Sequence, residues 1–340
     1  MKFGLGQFTL QIPPWDPRTP GELYRDTLDL AARAEEVGFA SIWLAEHHGA
    51  ADSYNPSLLP MLAAIGARTR RMELGTAVML APFHDPIRVA EDAAVVDQIS
   101  GGRMNLGLGL GWAPHEYKMF GVDPKGRGKR LDEFVNVCNA AWTQDRFSFR
   151  GEFFDLDDAS VMPKPVRKIP IWLGGNEERA LRRAARLGDG HFPPSTAGVG
   201  SIAVRAKEIK ALRDEAGVSG PFRFGAFLTV GIGENADDGW SKVRDGLLHV
   251  RGAYAMWAQG KLDVANAREA AEPFEVQLRA GVVCGSPSQI VEQLRPAVEE
   301  LGGLGFEDVF ISAILAPPGT PRALALEQVE RFAEVIEALS

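Results

Sequence analysis

The sequence predicts an α/β fold, a closed (β/α)8 barrel of the TIM type. A short apolar or alternating run followed by a stretch of helical periodicity occurs eight times, and this alternation is typical of parallel strands joined by helices. The 340 residues, 45% of them hydrophobic, are enough for one barrel of about 250 residues with insertions. The rival fold, a doubly wound sheet, usually begins with a glycine-rich dinucleotide turn, and the first turn here, TLQIPPWDPRTP, has none.

The strands are recognised by apolar or period-two runs, and the helices by apolar residues that recur every three to four positions. In chain order the predicted strands are KFGLGQFTL, ASIWLA, MELGTAVML, RMNLGLGL, IPIWLGG, DGHFPPS, FRFGAFLTVGIG and FEDVFISAI. The helices that follow them are GELYRDTLDLAARAEEVG, NPSLLPMLAAIGARTR, DPIRVAEDAAVVDQIS, GKRLDEFVNVCNAAW, NEERALRRAARLG, VGSIAVRAKEIKALRDEAG, the region from Asp237 to Gln259, and TPRALALEQVERFAEVIEAL.

Two insertions interrupt the repeat. FSFRGEFFDLDDASVMPKP alternates with period two around Gly151, which predicts a β-hairpin at about 147–165. A mostly helical segment, 260–281, opens a second insertion at about 260–300, before the eighth strand. Long excursions of this kind are often lids or binding loops. Because no linker or further repeat occurs, we expect a single domain over residues 1–340.

Composition excludes several classes of function. The net charge of -8 comes without a long basic run, so we expect no nucleic-acid partner. Cys138 and Cys284 are far apart and have no metal-type spacing, which favours a reducing compartment and a cytoplasmic location. Gly4 and Gly6 break the first apolar run, which predicts a strand in place of a signal peptide. No apolar run reaches the about 18 residues of a membrane helix.

The most informative motif is SIWLAEHHGA, where the second strand ends in a glutamate and two histidines. Active sites of (β/α)8 barrels lie at the carboxyl ends of the strands. A neutral histidine is suited to act as a general base, and Glu46 could set its tautomer. Neighbouring strand residues point to opposite faces, so we expect at most one of His47 and His48 in the mouth unless the strand has already ended, and no metal site. The alternative is a histidine that caps a helix or satisfies a buried carbonyl.

The third and fourth strands carry further candidates. Thr76 lies within the third strand, where β-propensity alone would explain a threonine. Asn105, Gly107 and Gly109 share one face of the fourth strand. Glycines in a strand often mark the close approach of a ligand or of another backbone, so this face either receives a flat ligand or is bent.

The fifth strand ends in a potential anion site. Gly174 and Gly175 precede a helix that we expect to open at Asn176, and the first amides of a helix favour phosphate. Asn176 could equally be a simple N-cap. Glu177 and Glu178 in the first turn would repel an anion.

These residues resemble those of the bacterial luciferase-like flavin monooxygenases, which are (β/α)8 barrels. The matching segments are AEHH, GTAVML, DPIRVAEDAAVVDQISGGRMNLGLGLGW running into EYKMFGVD, RGKRLDEF and IPIWLGG, in the order of the family and over about the first 190 residues. CGSPSQIVEQL and the eighth strand continue the resemblance.

The resemblance implies a role for several positions. His47 matches the catalytic histidine, a base or proton shuttle at the reacting flavin edge. Thr76 and Asn105 match polar residues that face the flavin and its oxygen. Ala77 and Val78 lie where the family often has a non-proline cis peptide under the flavin, a bond that costs about 3–4 kcal/mol.

The FMN phosphate would be held around Tyr117, Gly174, Gly175 and Asn176. The luciferase cysteine and arginine of the fourth strand are absent, since Gly109 and Leu110 stand there, so we expect no light emission.

The implied function is that of a two-component monooxygenase. Reduced FMN, supplied by a separate NAD(P)H-dependent flavin reductase, and oxygen would oxygenate a small organic substrate. A deazaflavin-dependent enzyme of the same superfamily, which transfers a hydride without oxygen, is the alternative; Thr76 and Asn105, with AEHH, favour oxygen chemistry. A non-catalytic flavin-binding protein is the third hypothesis. The resemblance also implies a homodimer through the second and third helices.

Overall fold

The computed structural model describes residues 1–193 and 198–340. The strands in these ranges are β1 (Lys2–Phe8), β2 (Ser41–Leu44), β3 (Glu73–Thr76), β4 (Met79–Leu80), β5 (Met104–Gly109), β6 (Phe147–Arg150), β7 (Asp155–Ala159), β8 (Ile171–Gly174), β9 (Gly190–Phe192), β10 (Arg223–Ile232), β11 (Val283–Gly285) and β12 (Val309–Ile314).

The helices in the same ranges are α1 (Pro20–Glu36), α2 (Leu58–Arg68), α3 (Pro86–Ser100), α4 (Pro114–Phe120), α5 (Arg127–Thr143), α6 (Glu178–Leu187), α7 (Gly198–Glu215), α8 (Ala236–Ala258), α9 (Ala267–Ala271), α10 (Glu275–Ala280), α11 (Pro287–Gly302) and α12 (Arg322–Leu339). Short 3-10 turns cover Ala81–Phe83 and Glu272–Phe274.

Eight parallel strands close into a barrel. Their order is β1, β2, β3, β5, β8, β9, β10 and β12, and β12 pairs back with β1. The predicted (β/α)8 barrel is therefore confirmed, with each predicted strand in its place in this order. The predicted sixth strand extends to Ser195, and its last two residues lie outside the described residues.

Both predicted insertions are present. β6 and β7 form an antiparallel hairpin between α5 and β8. Between α8 and β12 the chain forms α9, α10, β11 and α11, so the insertion before the last barrel strand is mostly helical. The sequence did not predict β11, which pairs with β10 outside the closed ring.

The barrel interior is a layer of aromatic side chains. Trp43, Trp172, Phe192, Phe227 and Phe310 pack there, and the rings of Trp172 and Phe192 stack with centroids 4.5 Å apart. A Cβ atom on Gly75 or Gly190 would overlap the ring of Trp43 or of Trp172, so these glycines make room for the indoles. The layer fills the barrel and separates its two ends.

A bulge interrupts the pairing of β3 with β5. Leu74 and Gly75 pair with Met104 and Asn105, and pairing resumes at β4. The peptide bond between Ala77 and Val78 is cis, as the resemblance predicted.

None of the helices in the described ranges combines the length and the apolar character that a membrane crossing needs. Both cysteines, Cys138 and Cys284, are buried free thiols.

Candidate active site

His47 lies at the carboxyl end of the barrel, three residues after β2, and only 5% of it is exposed. Its Nδ1 lies 2.9 Å from Oε1 of Glu116, a fully buried glutamate on α4. The same oxygen accepts a hydrogen bond of 2.8 Å from the backbone N–H of His48. A carboxylate at Nδ1 favours the tautomer that keeps the proton there, which leaves Nε2 as the basic atom.

Glu116 was missed by the sequence prediction, which gave the role of tautomer partner to Glu46. The signal was present, because a glutamate in the short segment PHEYKMF lies just after the carboxyl end of a barrel strand, and buried carboxylates are almost always paired.

Glu46 instead accepts the hydrogen bonds of a second, separate cluster. Its Oε1 accepts hydrogen bonds from Nε2 of His48 at 3.0 Å, from Nε2 of His84 at 2.8 Å and from the backbone N–H of Leu80 at 3.1 Å. Burial opposes the charged form of Glu46, but the hydrogen bonds from the two histidines outweigh it and hold the pKa of this carboxyl below its ordinary value.

His47 and His48 therefore have different carboxylate partners. Both histidines lie beyond β2, which ends at Leu44, so the period-two rule does not apply to them. The ligating atoms of Glu46, His48 and His84 lie within 4.8 Å of one another, close enough to hold a metal ion, although the sequence predicted no metal site. The hydrogen bonds to Glu46 already engage both Nε2 atoms.

Four aromatic rings surround His47. The ring centroids lie 4.9 Å away for Tyr54, 5.9 Å for Trp112, 5.2 Å for Tyr254 and 5.1 Å for Trp257. We call these four side chains the aromatic box. Two of them come from the same side of α8, where residues three apart are neighbours. The box gives the histidine an apolar surrounding that limits the access of water.

The floor of the mouth is made largely of backbone. Ala77 packs on the aromatic layer, and Val78 lies between Gly109 and Gly174. A Cβ atom on Gly107 would overlap the carbonyl oxygen of Thr76, and one on Gly109 would overlap a methyl group of Val78. Both glycines therefore make room for another segment of the same chain, at Thr76 and Val78.

Thr76 and Asn105, the two predicted polar contacts to a flavin, are engaged elsewhere. The hydroxyl of Thr76 donates to the carbonyl of Gly107 at 2.7 Å and accepts from its N–H at 2.8 Å. These two hydrogen bonds connect β3 to β5 beside the bulge. The hydroxyl thus uses its donor and one of its two acceptor sites within the chain.

Asn105 faces the barrel interior, as predicted, but at the opposite end. It donates to Glu73 at 2.9 Å and accepts from Nε1 of Trp172 at 3.1 Å. Glu73 and its other partners, Lys2 and Arg223, begin their strands and therefore lie at the amino-terminal end. The aromatic layer lies between Asn105 and the mouth, so the structure does not bring Asn105 together with His47, and its role as a flavin contact stays a prediction.

The predicted anion-binding residues lie at the edge of the mouth. Gly175 has a φ of 136°, which a side chain would disfavour, and a Cβ atom there would lie 2.6 Å from that of Ala180. The helix cap is Glu177 rather than Asn176, and Asn176 is exposed. The hydroxyl of Tyr117 donates to the carbonyl of Leu110.

A depression of about 590 Å³ opens beside the box, lined by Trp112, Tyr117, Lys118 and Arg127 among others. The guanidinium of Arg127 lies 5.7 Å from the ring centroid of Tyr117. The depression is also lined by Asp123, so its two cationic side chains exceed its carboxylates by one. Together with the backbone floor, this excess of positive charge fits a flat ring that carries an anionic tail.

The chain is similar to known proteins in sequence and in fold. The family model described as luciferase-like monooxygenase matches residues 1–304. The F420-dependent glucose-6-phosphate dehydrogenase of Amycolatopsis mediterranei (strain U-32) is 26% identical over 287 residues, which cover 81% of this chain and 85% of that protein.

Two solved structures are similar over almost their full length. The monooxygenase RslO1 from Streptomyces bottropensis has a TM-score of 0.79 and 24% identity, covering 99% of both chains. An F420-dependent secondary alcohol dehydrogenase has a TM-score of 0.78 and 20% identity, covering 100% of this chain and 99% of that one. At these identities the two likenesses show the fold alone. The match to the family model over most of the chain shows that this protein belongs to the luciferase-like monooxygenase family and is an oxidoreductase.

Proposed function

We propose that this chain uses a deazaflavin of the F420 type to move a hydride between the cofactor and a small alcohol or carbonyl substrate. The observation that carries the proposal is the pair His47 and Glu116, which presents Nε2 as a base inside the aromatic box. Oxidation of an alcohol needs such a base for the hydroxyl proton. The name of the F420-dependent relative, similar over 81% of this chain, supports the same cofactor.

The hydrogen bonds of Thr76 and Asn105 weigh against the preference for oxygen chemistry that the sequence suggested. Oxygen chemistry was favoured because both side chains were expected to face the flavin. The hydroxyl of Thr76 is engaged by Gly107, and Asn105 lies below the aromatic layer. These contacts weaken the support that the two residues gave to a monooxygenase.

The chain's own residues would hold the cofactor and manage the proton. Ala77, Val78 and Gly174 would support the ring, and Lys118 and Arg127 would attract the anionic tail. When bound, the deazaflavin supplies the hydride acceptor or donor.

In the direction of alcohol oxidation, Nε2 of His47 takes the hydroxyl proton, and the carboxylate of Glu116 stabilises the imidazolium that results. The rings of Trp112, Tyr254 and Trp257 exclude water from this step.

A monooxygenase that uses reduced FMN and oxygen is the second candidate. The observation in its favour is the enclosure of His47 by four aromatic rings, since oxygen chemistry on a flavin also requires that water be kept out. A separate NAD(P)H-dependent flavin reductase would then be the partner.

The predicted homodimer is supported by exposed apolar side chains on α3, Val95 and Ile99. The reductase partner and the cytoplasmic location stay predictions from the sequence.

The test compares the two cofactors on one preparation. The protein is titrated with oxidised F420, and the complex is then mixed with a panel of alcohols. In a separate experiment it is titrated with reduced FMN under anaerobic conditions, and that complex is mixed with oxygenated buffer. We expect F420 to bind and to lose its visible absorbance when an alcohol is added. His47→Ala should keep F420 binding and lose about 10²–10⁴-fold of the rate. Tight binding of reduced FMN, with oxygen consumption coupled to substrate and no F420 reduction, would establish the second candidate instead.

A further inference from the structure

The hydroxyl groups of Tyr54 and Tyr254 meet beside His47. Their oxygens are 2.9 Å apart, and the two rings are inclined by 26°. One tyrosine lies on the segment between β2 and α2 and the other on α8, so two distant parts of the chain bring the pair together. Both rings contact the imidazole of His47.

Counting hydrogens shows that this pair has one O–H to spare. In a contact between two hydroxyls one donates and the other accepts, so the accepting hydroxyl keeps a hydrogen of its own. Among the residues that the structure describes, neither hydroxyl has another partner to receive it. A buried donor without an acceptor is costly, and a ligand oxygen would remove that cost.

Both groups are donors rather than bases. Burial raises the pKa of Tyr254 to about 12 and the pKa of Tyr54 well above its ordinary value. The pair therefore stays protonated in the range where His47 would work.

The surroundings of the pair suit a neutral ligand. The rings that enclose His47 carry no charge, and the carboxylates of Asp52 and Glu116 are the acidic groups that further disfavour the ionised form of Tyr54. A phosphate placed here would meet these carboxylates across an apolar medium, where like charges repel strongly. The cationic side chains Lys118 and Arg127 belong to the separate depression assigned above to the cofactor's tail.

We propose that Tyr54 and Tyr254 bind the reacting oxygen of an uncharged alcohol or ketone, and that sugar phosphates are not substrates. This inference rests on the proposed hydride transfer. With the cofactor as hydride acceptor, the C–H bond at the substrate carbon would break, the hydroxyl proton would pass to Nε2 of His47, and the C=O bond would form. The spare O–H of the pair donates to that oxygen as negative charge develops on it. In this respect the chain would differ from its relative named for glucose 6-phosphate.

The test uses cyclohexanol and cyclohexanone as uncharged probes and glucose 6-phosphate as the charged one. Turnover with F420 is measured for the wild type, Tyr54→Phe, Tyr254→Phe and the double variant. Each single variant keeps one hydroxyl free to donate, so we expect losses below about tenfold in kcat/KM, whereas the double variant should lose about 10²-fold. Glucose 6-phosphate should not be oxidised.

A binding titration separates this inference from the proposed function. Tryptophan fluorescence, with Trp112 and Trp257 as reporters, measures the binding of cyclohexanol. Cyclohexane, which has the same ring but no oxygen atom, is the matched probe. We expect the double variant to bind cyclohexanol more weakly and cyclohexane unchanged, even if no F420 turnover is found with any alcohol. Equal weakening of both probes, unchanged affinity for cyclohexanol, or oxidation of glucose 6-phosphate in preference to cyclohexanol would overturn the assignment.

Discussion

Nδ1 of His47 and Oε1 of Glu116 lie 2.9 Å apart, and the same oxygen accepts the backbone N–H of His48. One buried carboxylate thus orients the imidazole and also fixes the loop that carries it. The two residues are 69 positions apart in the chain. The partner that makes His47 a base is therefore supplied by α4, at the end of a different strand.

Replacing Glu116 should reduce the rate more than it reduces binding. Glu116→Gln keeps an acceptor for Nδ1 but removes the charge that stabilises the imidazolium, so we expect kcat to fall by about tenfold, equivalent to ~1.4 kcal/mol in the barrier. We expect Glu116→Ala to lower kcat further. Steady-state rates with the confirmed cofactor measure the effect, and Kd for the cofactor should stay within about twofold. A Glu116→Gln enzyme with wild-type kcat would show that the carboxylate only holds the loop.

Asn105 should prove structural rather than catalytic. Asn105→Ala leaves Nε1 of Trp172 without a buried acceptor and removes a partner of Glu73, so we expect the free energy of unfolding to fall by about 1–3 kcal/mol. Chemical denaturation measures this loss, while KM and the affinity for the cofactor should not change. Asn136→Ala is the control, because it replaces an asparagine by an alanine at an exposed position. A selective loss of cofactor binding by Asn105→Ala would restore the assignment that the sequence suggested.

Gly109 and Val78 should be coupled. A Cβ atom at 109 would overlap a methyl group of Val78, so Gly109→Ala should destabilise the fold by about 1–3 kcal/mol. Adding Val78→Ala should recover much of that loss, because the shorter side chain leaves room. Gly200→Ala, where a Cβ atom meets nothing within 4 Å, is the matched control. Thermal unfolding of the single and double variants measures the coupling. Strictly additive losses of unfolding free energy would argue against a contact between positions 78 and 109.

Glu73 should make stability depend on pH in the acid range. Burial opposes its charged form, but Lys2, Asn105 and Arg223 outweigh burial and hold the pKa of this carboxyl below its ordinary value of 4.5. A lowered folded-state pKa means that this contribution is fully present above pH 4.5 and is lost as the pH falls through the folded value.

Glu73→Gln should therefore lower the free energy of unfolding at neutral pH and flatten its decline below pH 4.5. Denaturation curves across the acid range measure the slope, with the exposed Glu299→Gln as control. An unchanged slope in Glu73→Gln would mean that other carboxylates carry the acid sensitivity.

Much of the fold could be predicted because its signals are local. The alternation of strand and helix periodicity determined the order of the barrel strands, and the turn at Gly151 marked the hairpin. The position of AEHH after the second strand placed His47 at the mouth, since all parallel strands of a barrel end on the same side.

The height of a side chain along its strand was decided only by the tertiary structure. Period two assigned Asn105 to the interior face correctly, but it says nothing about which end of the barrel that face reaches. Asn105 is the second residue of β5, and this alone would have indicated the amino-terminal end. Likewise Thr76 was assigned to the flavin from the resemblance, whereas its hydroxyl is hydrogen-bonded to the backbone of Gly107, beside the bulge at Ala77 and Val78.

The sequence by itself determined the family, the barrel and the histidine at its mouth, because these depend on residue order and local periodicity. Only the tertiary structure decided which carboxylate pairs with His47, which rings enclose it and which tyrosines meet beside it. Those relationships join residues from the segment after β2, from α4 and from α8, and contacts between segments so far apart in the chain leave no periodic signal in the sequence.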